Sequence, residues 1–153
     1  MSDAYPLWWD TTLTIYNRYI DDITYETFWY KHYIDNCFWK NTYDEVRIGT
    51  TVLLSNVNIC RIPQSDNFME YGKWRELSKA DKPNYFTLCQ GHIIVKGEAE
   101  ETIDEIYPDG RNVIRSTELI KRYTLTDGCM EIDNFVINIG GGRNNPHYFV
   151  KGQ

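Results

Sequence analysis

Apolar and polar residues alternate over Thr12–Tyr19, with Leu13 and Ile15 on one face and Thr12 and Thr14 on the other. A period of two residues marks a half-buried strand. Asp21-Asp22 then predicts a turn, and the Thr-, Tyr-, Phe- and Trp-rich run from Thr24 to Tyr33 predicts the return strand of a hairpin. Cys37-Phe38-Trp39-Lys40 is a short apolar run after Asp35-Asn36. Tyr43–Thr51 and Val57–Ile62 read as two further strands parted by a Ser55-Asn56 turn. Pro63 lacks the N–H that a ladder needs, so the second should stop there. Gly91–Gly97 frames a compact strand, Ile93-Ile94-Val95. Met130–Ile139 and His147–Lys151 predict a closing hairpin around Gly140-Gly141-Gly142.

Two stretches carry a helical pattern instead. Glu98–Ile106 is rich in helix formers and runs into the stop Tyr107-Pro108-Asp109-Gly110. Ser116–Tyr123 predicts a second short helix, with Ser116 as N-cap and Lys121 and Arg122 in the last turn. Residues 63–86 hold no period, because Pro63, Ser65, Asp66, Asn67, Gly72, Pro83 and Asn84 interrupt it. One helical turn fits Lys73–Leu77. This long loop still carries Phe68, Met69, Tyr71, Trp74 and Arg75, which makes those five the candidate partner-binding residues. The pattern predicts one domain over residues 1–153. It is mainly β: a small antiparallel barrel or sandwich with a long loop and one or two short helices.

Composition narrows the function classes. A chain of 153 residues with 42% hydrophobic content can bury one proper core. Its net charge is −6, and no Lys/Arg cluster interrupts the acidic balance. Gripping nucleic acid by its phosphates calls for a basic patch, so free DNA binding is disfavoured. The densest charge run, Glu98, Glu100, Glu101, Asp104 and Glu105, reads as a solvated helix face. No segment reaches the ~20 apolar residues of a membrane span, and the first ten residues lack the pattern of a signal peptide. Cys37, Cys60, Cys89 and Cys129 fit no zinc or redox spacing and are expected as reduced, partly buried thiols.

Candidate chemistry is sparse. His32, His92 and His147 form no metal-binding spacing, and His32 with Cys37 and Asp35 offers no convincing ligand set. No residue pattern selects a Cys–His nucleophile pair, and no G-x-S-x-G elbow is present. The glycines at 140–142 are followed by Arg143-Asn144-Asn145-Pro146, unlike a phosphate-binding loop. No catalytic residue, metal or cofactor is expected. The neighbouring aromatics Trp8-Trp9, Phe28-Trp29-Tyr30 and Phe38-Trp39 can each send one ring inward and leave another outside. Outside rings suit a protein partner, a sugar or a base.

Leu13–Tyr19, Trp29-Tyr30, Cys37-Phe38-Trp39, Val57–Pro63, Trp74, Gly91–Gly97, Asp133-Asn134 and His147–Gly152 form an ordered set of landmarks. In that order they resemble the small head–tail connector or head-completion proteins of tailed phages that infect Gram-positive bacteria. The chain departs from that pattern at His92, in place of Asp, and at Tyr148-Phe149, in place of Trp. The resemblance implies a structural virion protein without enzymatic activity. It would form a ring in the phage neck, assembled in the host bacterial cytoplasm. Its partners would be its own copies, portal or adaptor proteins and tail proteins, with DNA passing through unbound and no membrane involved. In the stopper position, loop 63–86 would reach across the channel. A tail terminator or adaptor of the same neck is the alternative. Other readings are a carbohydrate- or nucleic-acid-binding β module and, further off, a small hydrolase or thiol enzyme.

Overall fold

β-Branched and aromatic side chains at alternate positions favour extended chain, and such runs build most of the molecule. The computed structural model describes residues 6–126, 128–138 and 146–153. Its strands are β1 (Thr11–Ile20), β2 (Thr27–Ile48), β3 (Thr51–Pro63), β4 (Ile93–Lys96), β5 (Thr102–Ile103), β6 (Val113–Ile114), β7 (Cys129–Asn138) and β8 (His147–Gly152). The helices are α1 (Tyr71–Trp74) and α2 (Ser116–Thr124). The fold is mainly β. Six strands close an antiparallel barrel in the order β1-β2-β3-β8-β7-β4, and β4 pairs back onto β1. Of the two expected architectures, the barrel is the one formed.

Inward-facing residues fill the barrel. Leu13 and Ile15 of β1 meet Ile62 of β3, Ile94 of β4, Ile132 of β7 and Val150 of β8. β2 keeps its apolar face inward across a bulge at Asp35-Asn36, where the register shifts and Asn36 takes φ 59°. Asn tolerates that left-handed conformation better than most residues. The bulge lets both Ile34 and Cys37 face the core. The chain therefore does not break after Tyr33, and the run at Cys37 continues the same long strand.

β2 and β3 also run on beyond the barrel. Their ladder continues from Thr42↔Val57 to Ile48↔Thr51, past the last β3–β8 pair at Asn58↔Gly152. These seven cross-strand pairs make a two-stranded arm roughly 23 Å long at the usual rise per residue. Among the described residues, the arm's two strands pair only with each other. The turn lies at Gly49-Thr50 and not at Ser55-Asn56, which sit inside β3. Gly49 has φ 63° while Thr50 is not left-handed, the pattern of a type II′ hairpin with glycine first.

A second core lies on the outside of β1 and β4. Tyr16, Ile93 and Val95 pack there against Ala99, Ile103, Ile114 and Leu119. The expected helix over Glu98–Ile106 does not form, and the barrel explains why. Helix formation needs the backbone carbonyls of this stretch for its own ladder. Here the Thr14 hydroxyl donates to Gly97 O, Tyr33 to Ala99 O, Lys31 to Ala99 O and Glu100 O, and Tyr16 to Glu101 O. The segment is held extended, and Thr102-Ile103 pairs in parallel with Val113-Ile114. Glu101 and Glu105 serve as ties, while Glu98 and Glu100 stay exposed. Glu101 accepts the Tyr123 hydroxyl at 2.7 Å, and Glu105 accepts Ser116 N–H at 2.7 Å. Ser116 is therefore not the N-cap of α2. Arg115 holds that position without a side-chain cap, and the Glu105 carboxylate takes over the capping.

Candidate functional site

The five expected partner residues lie in a plug. Residues 64–92 fold back over the barrel end that β3 leaves and β4 enters. The segment forms an internal clasp: Phe68 bridges Phe86, with Met69 N–H on Phe86 O and Phe86 N–H on Asn67 O. Phe68 stacks on Tyr148 at 4.3 Å, and Tyr71 meets His92 edge-on at 5.3 Å. Trp74 is 0% exposed and donates its indole N–H to Tyr85 O. Arg75 forms a 2.9 Å ion pair with Asp22 in the β1–β2 turn. Trp74 has no surface to offer a partner, and the stretch does not reach away from the barrel as expected. Phe68, Met69 and Tyr71 pack partly against the barrel end and stay half-buried, while Trp74 is wholly internal.

Two buried polar groups that sequence reasoning passed over hold this plug. Lys82 is buried, and its Nζ donates to Arg75 O and Leu77 O. The same ammonium lies 4.2 Å from the Tyr19 ring centroid and 5.5 Å from that of Trp74, a cation–π pocket. Burial lowers its pKa from the ordinary lysine value. Asn17 reaches into the plug from β1 and contacts Thr87 and His92. The signal for Lys82 was faint: a lysine before proline in a loop reads as solvated until the loop's path is known.

The titratable groups scatter. His32 lies against Phe86, His92 is buried beside Asn17, and His147 meets Arg61 on the outer face. Burial, reinforced by the Arg18 charge, pulls His92 down to about 3, so it is neutral at physiological pH. Cys37, Cys60 and Cys129 are buried free thiols. Burial, then Asp35, pushes Cys37 up to about 12. Burial, then Glu131, does the same for Cys129. A buried, protonated thiol is a poor nucleophile. Among the described residues, no three His, Cys, Asp or Glu side chains gather as metal ligands. Among the described residues, no helix is long and apolar enough to cross a membrane.

Exposed apolar residues concentrate at both ends of β2. The arm carries Ile48 and Val52 near its turn, with Arg47 as the cross-strand partner of Val52 and Ile48 on the other face. At the other end, a groove of about 490 Å³ runs between the start of β2 and the loop after β5. Trp29, Ile103, Ile106 and Tyr107 line it, with the carboxylates of Glu26 and Asp104. The Asp104 side chain caps its own loop by accepting Ile106 and Tyr107 N–H, which keep its pKa below the ordinary carboxylate value. Trp29 Nε1 is buried and has no hydrogen-bond partner among the described residues. Gly49 after the Tyr43–Ile48 run was the sequence signal for the arm, and the Ser55-Asn56 pair masked it.

Residues 8–153 match a protein family whose description is a family of unknown function, DUF6751. No curated protein matches the chain. No solved structure matches it.

Proposed function

We propose, for a chain that belongs to the DUF6751 family of unknown function, a structural role as a ring-forming component of a tailed-phage neck. The head-completion position is the first reading, with tail terminator or adaptor as the alternative. The observation that carries the assembly role is the β2–β3 arm. A closed barrel leaves no edge for pairing, yet this one extends roughly 23 Å of two-stranded ribbon whose outer edges pair with nothing among the described residues. An isolated ribbon is marginal in water and gains stability by lying on a neighbour. With residues 64–92 held on the barrel, the arm is the element that reaches other subunits.

The phage assignment is supported by the ordered resemblance to connector proteins, whose runs fall mostly on the barrel strands. The acidic net charge of −6 suits a conduit that must let DNA pass without holding its phosphates. Retention of DNA would then come from ring closure and from neighbouring neck proteins, not from loop 63–86.

Electron microscopy of particles assembled without the protein tests this reading. Filled or leaking heads without tails, beside free tails, are the expected result. Normal tailed virions would overturn it.

A further inference from the structure

We propose that the arm tip of one copy seats in the β2–β5 groove of the next, a head-to-tail contact between copies of this chain. It rests on the ring reading above and names the two surfaces that would close the ring. Both surfaces stand on β2 but far apart. Thr27 borders the groove and Thr42 begins the arm, separated by up to about 50 Å of strand. The arm points away from the groove of its own chain, so only another copy can bring the two together. A contact between two different surfaces repeats from copy to copy and closes into a ring when the rotation allows.

The chemistry of the two surfaces is complementary. Arg47 is the charged residue nearest the turn, with Asp44 and Glu45 further back along the arm. It stands exposed across from Val52, while Ile48, which is 63% exposed, projects from the other face of the ribbon. The groove offers two carboxylates, Glu26 and Asp104, around an apolar lining in which Tyr107 is 80% exposed. The Asp104 side chain and the loop backbone at Ile106 and Tyr107 are preset by their mutual hydrogen bonds, so the loop itself gains little order on docking. The groove volume of about 490 Å³ suits a few side chains and the turn that carries them.

Two exposed substitutions separate the surfaces: Ile48→Asp on the arm and Ile106→Asp in the groove. Circular dichroism first confirms that each variant keeps the barrel. Sedimentation velocity over a concentration series then reads association. The wild-type chain should form higher oligomers, and each variant should associate at least about tenfold more weakly. Mixing the two variants should restore dimers and no more, because each mixed pair retains one intact arm and one intact groove. Charge reversal adds an independent arm: Arg47→Glu should weaken association, and Glu26→Arg on the same chain should recover part of it. Oligomers indifferent to all these changes would overturn the contact while leaving the ring reading in place. A wild-type chain that stays monomeric throughout would overturn both.

Discussion

Asn17 pairs with both backbone groups of Thr87. Its Nδ2 donates to Thr87 O at 2.6 Å, and its Oδ1 accepts Thr87 N–H at 3.1 Å. A β1 side chain thus acts as a one-residue strand for a plug segment that has no ladder there. Asn17→Ala leaves a buried N–H and a buried C=O without partners. The expected cost is about 2–4 kcal/mol, read as a lower urea midpoint with an unchanged slope.

The same residue points the other way at its hydroxyl. Thr87 Oγ1 is buried and has no partner among the described residues. Thr87→Val keeps the shape and removes the unsatisfied group. It should stabilise the protein by about 1 kcal/mol, seen as a raised denaturation midpoint. A lower midpoint would mean that the hydroxyl is satisfied in solution.

His92 sets an acid limb. Its folded pKa is depressed to about 3 from an ordinary 6.5, by burial first and then by Arg18. The unfolded chain therefore binds the extra proton between these values. The neutral form's contribution is complete above about pH 6.5 and is lost as pH falls towards 3, at up to about 1.4 kcal/mol per pH unit. Asp21, Asp104 and Asp109 also have lowered pKa values, but they act below the ordinary carboxylate value of 3.8. Urea titrations between pH 7 and 4.5 should show falling stability in the wild type. His32, also lowered from 6.5 by burial, adds to the same limb, so His92→Gln should make that slope shallower without abolishing it, whatever it does to stability at pH 7.

Gly152 has no room for a side chain. A Cβ there would run into the carbonyl oxygen of Glu131, whose N–H and C=O both pair with Gln153. Gly152→Ala must push β8 off β7 at the end where the barrel closes. A loss of about 2 kcal/mol or more is expected, as for other overpacked sites, measured by thermal unfolding.

The arm should be separable from the barrel. Joining Thr42 to Val57 through Asn-Gly removes the ribbon and keeps every barrel pair from Asn41↔Asn58 inward. The thermal midpoint should move by less than about 3 °C, while self-association is abolished. A collapse of the midpoint would make the arm part of the core.

Local pattern carried most of the barrel. The alternation at Leu13-Thr14-Ile15 and the stop at Pro63 depend on near neighbours, and both hold in the structure. The candidate site was far less legible. Phe68, Tyr71 and Trp74 sit in an aperiodic stretch, and such rings look alike on paper whether they cover a partner or the molecule's own open end. Their destination depends on Tyr148, His92 and Phe86, which are distant in sequence or on another strand. Glu98–Ile106 failed for a similar reason. Its helix propensity is real, but Tyr16, Lys31 and Tyr33, three side chains from β1 and β2, claim its carbonyls.

What the sequence determined by itself is a β-rich chain, because a two-residue period commits each strand to one buried face whatever it pairs with. It also determined the acidic charge. Only the tertiary structure decided that the strands close into a barrel, that the aromatic loop is a plug, and that β2 and β3 outrun the barrel as an arm. Those outcomes are set by contacts between residues far apart in sequence, whose energies exceed the few tenths to one kcal/mol of local preference that a sequence displays.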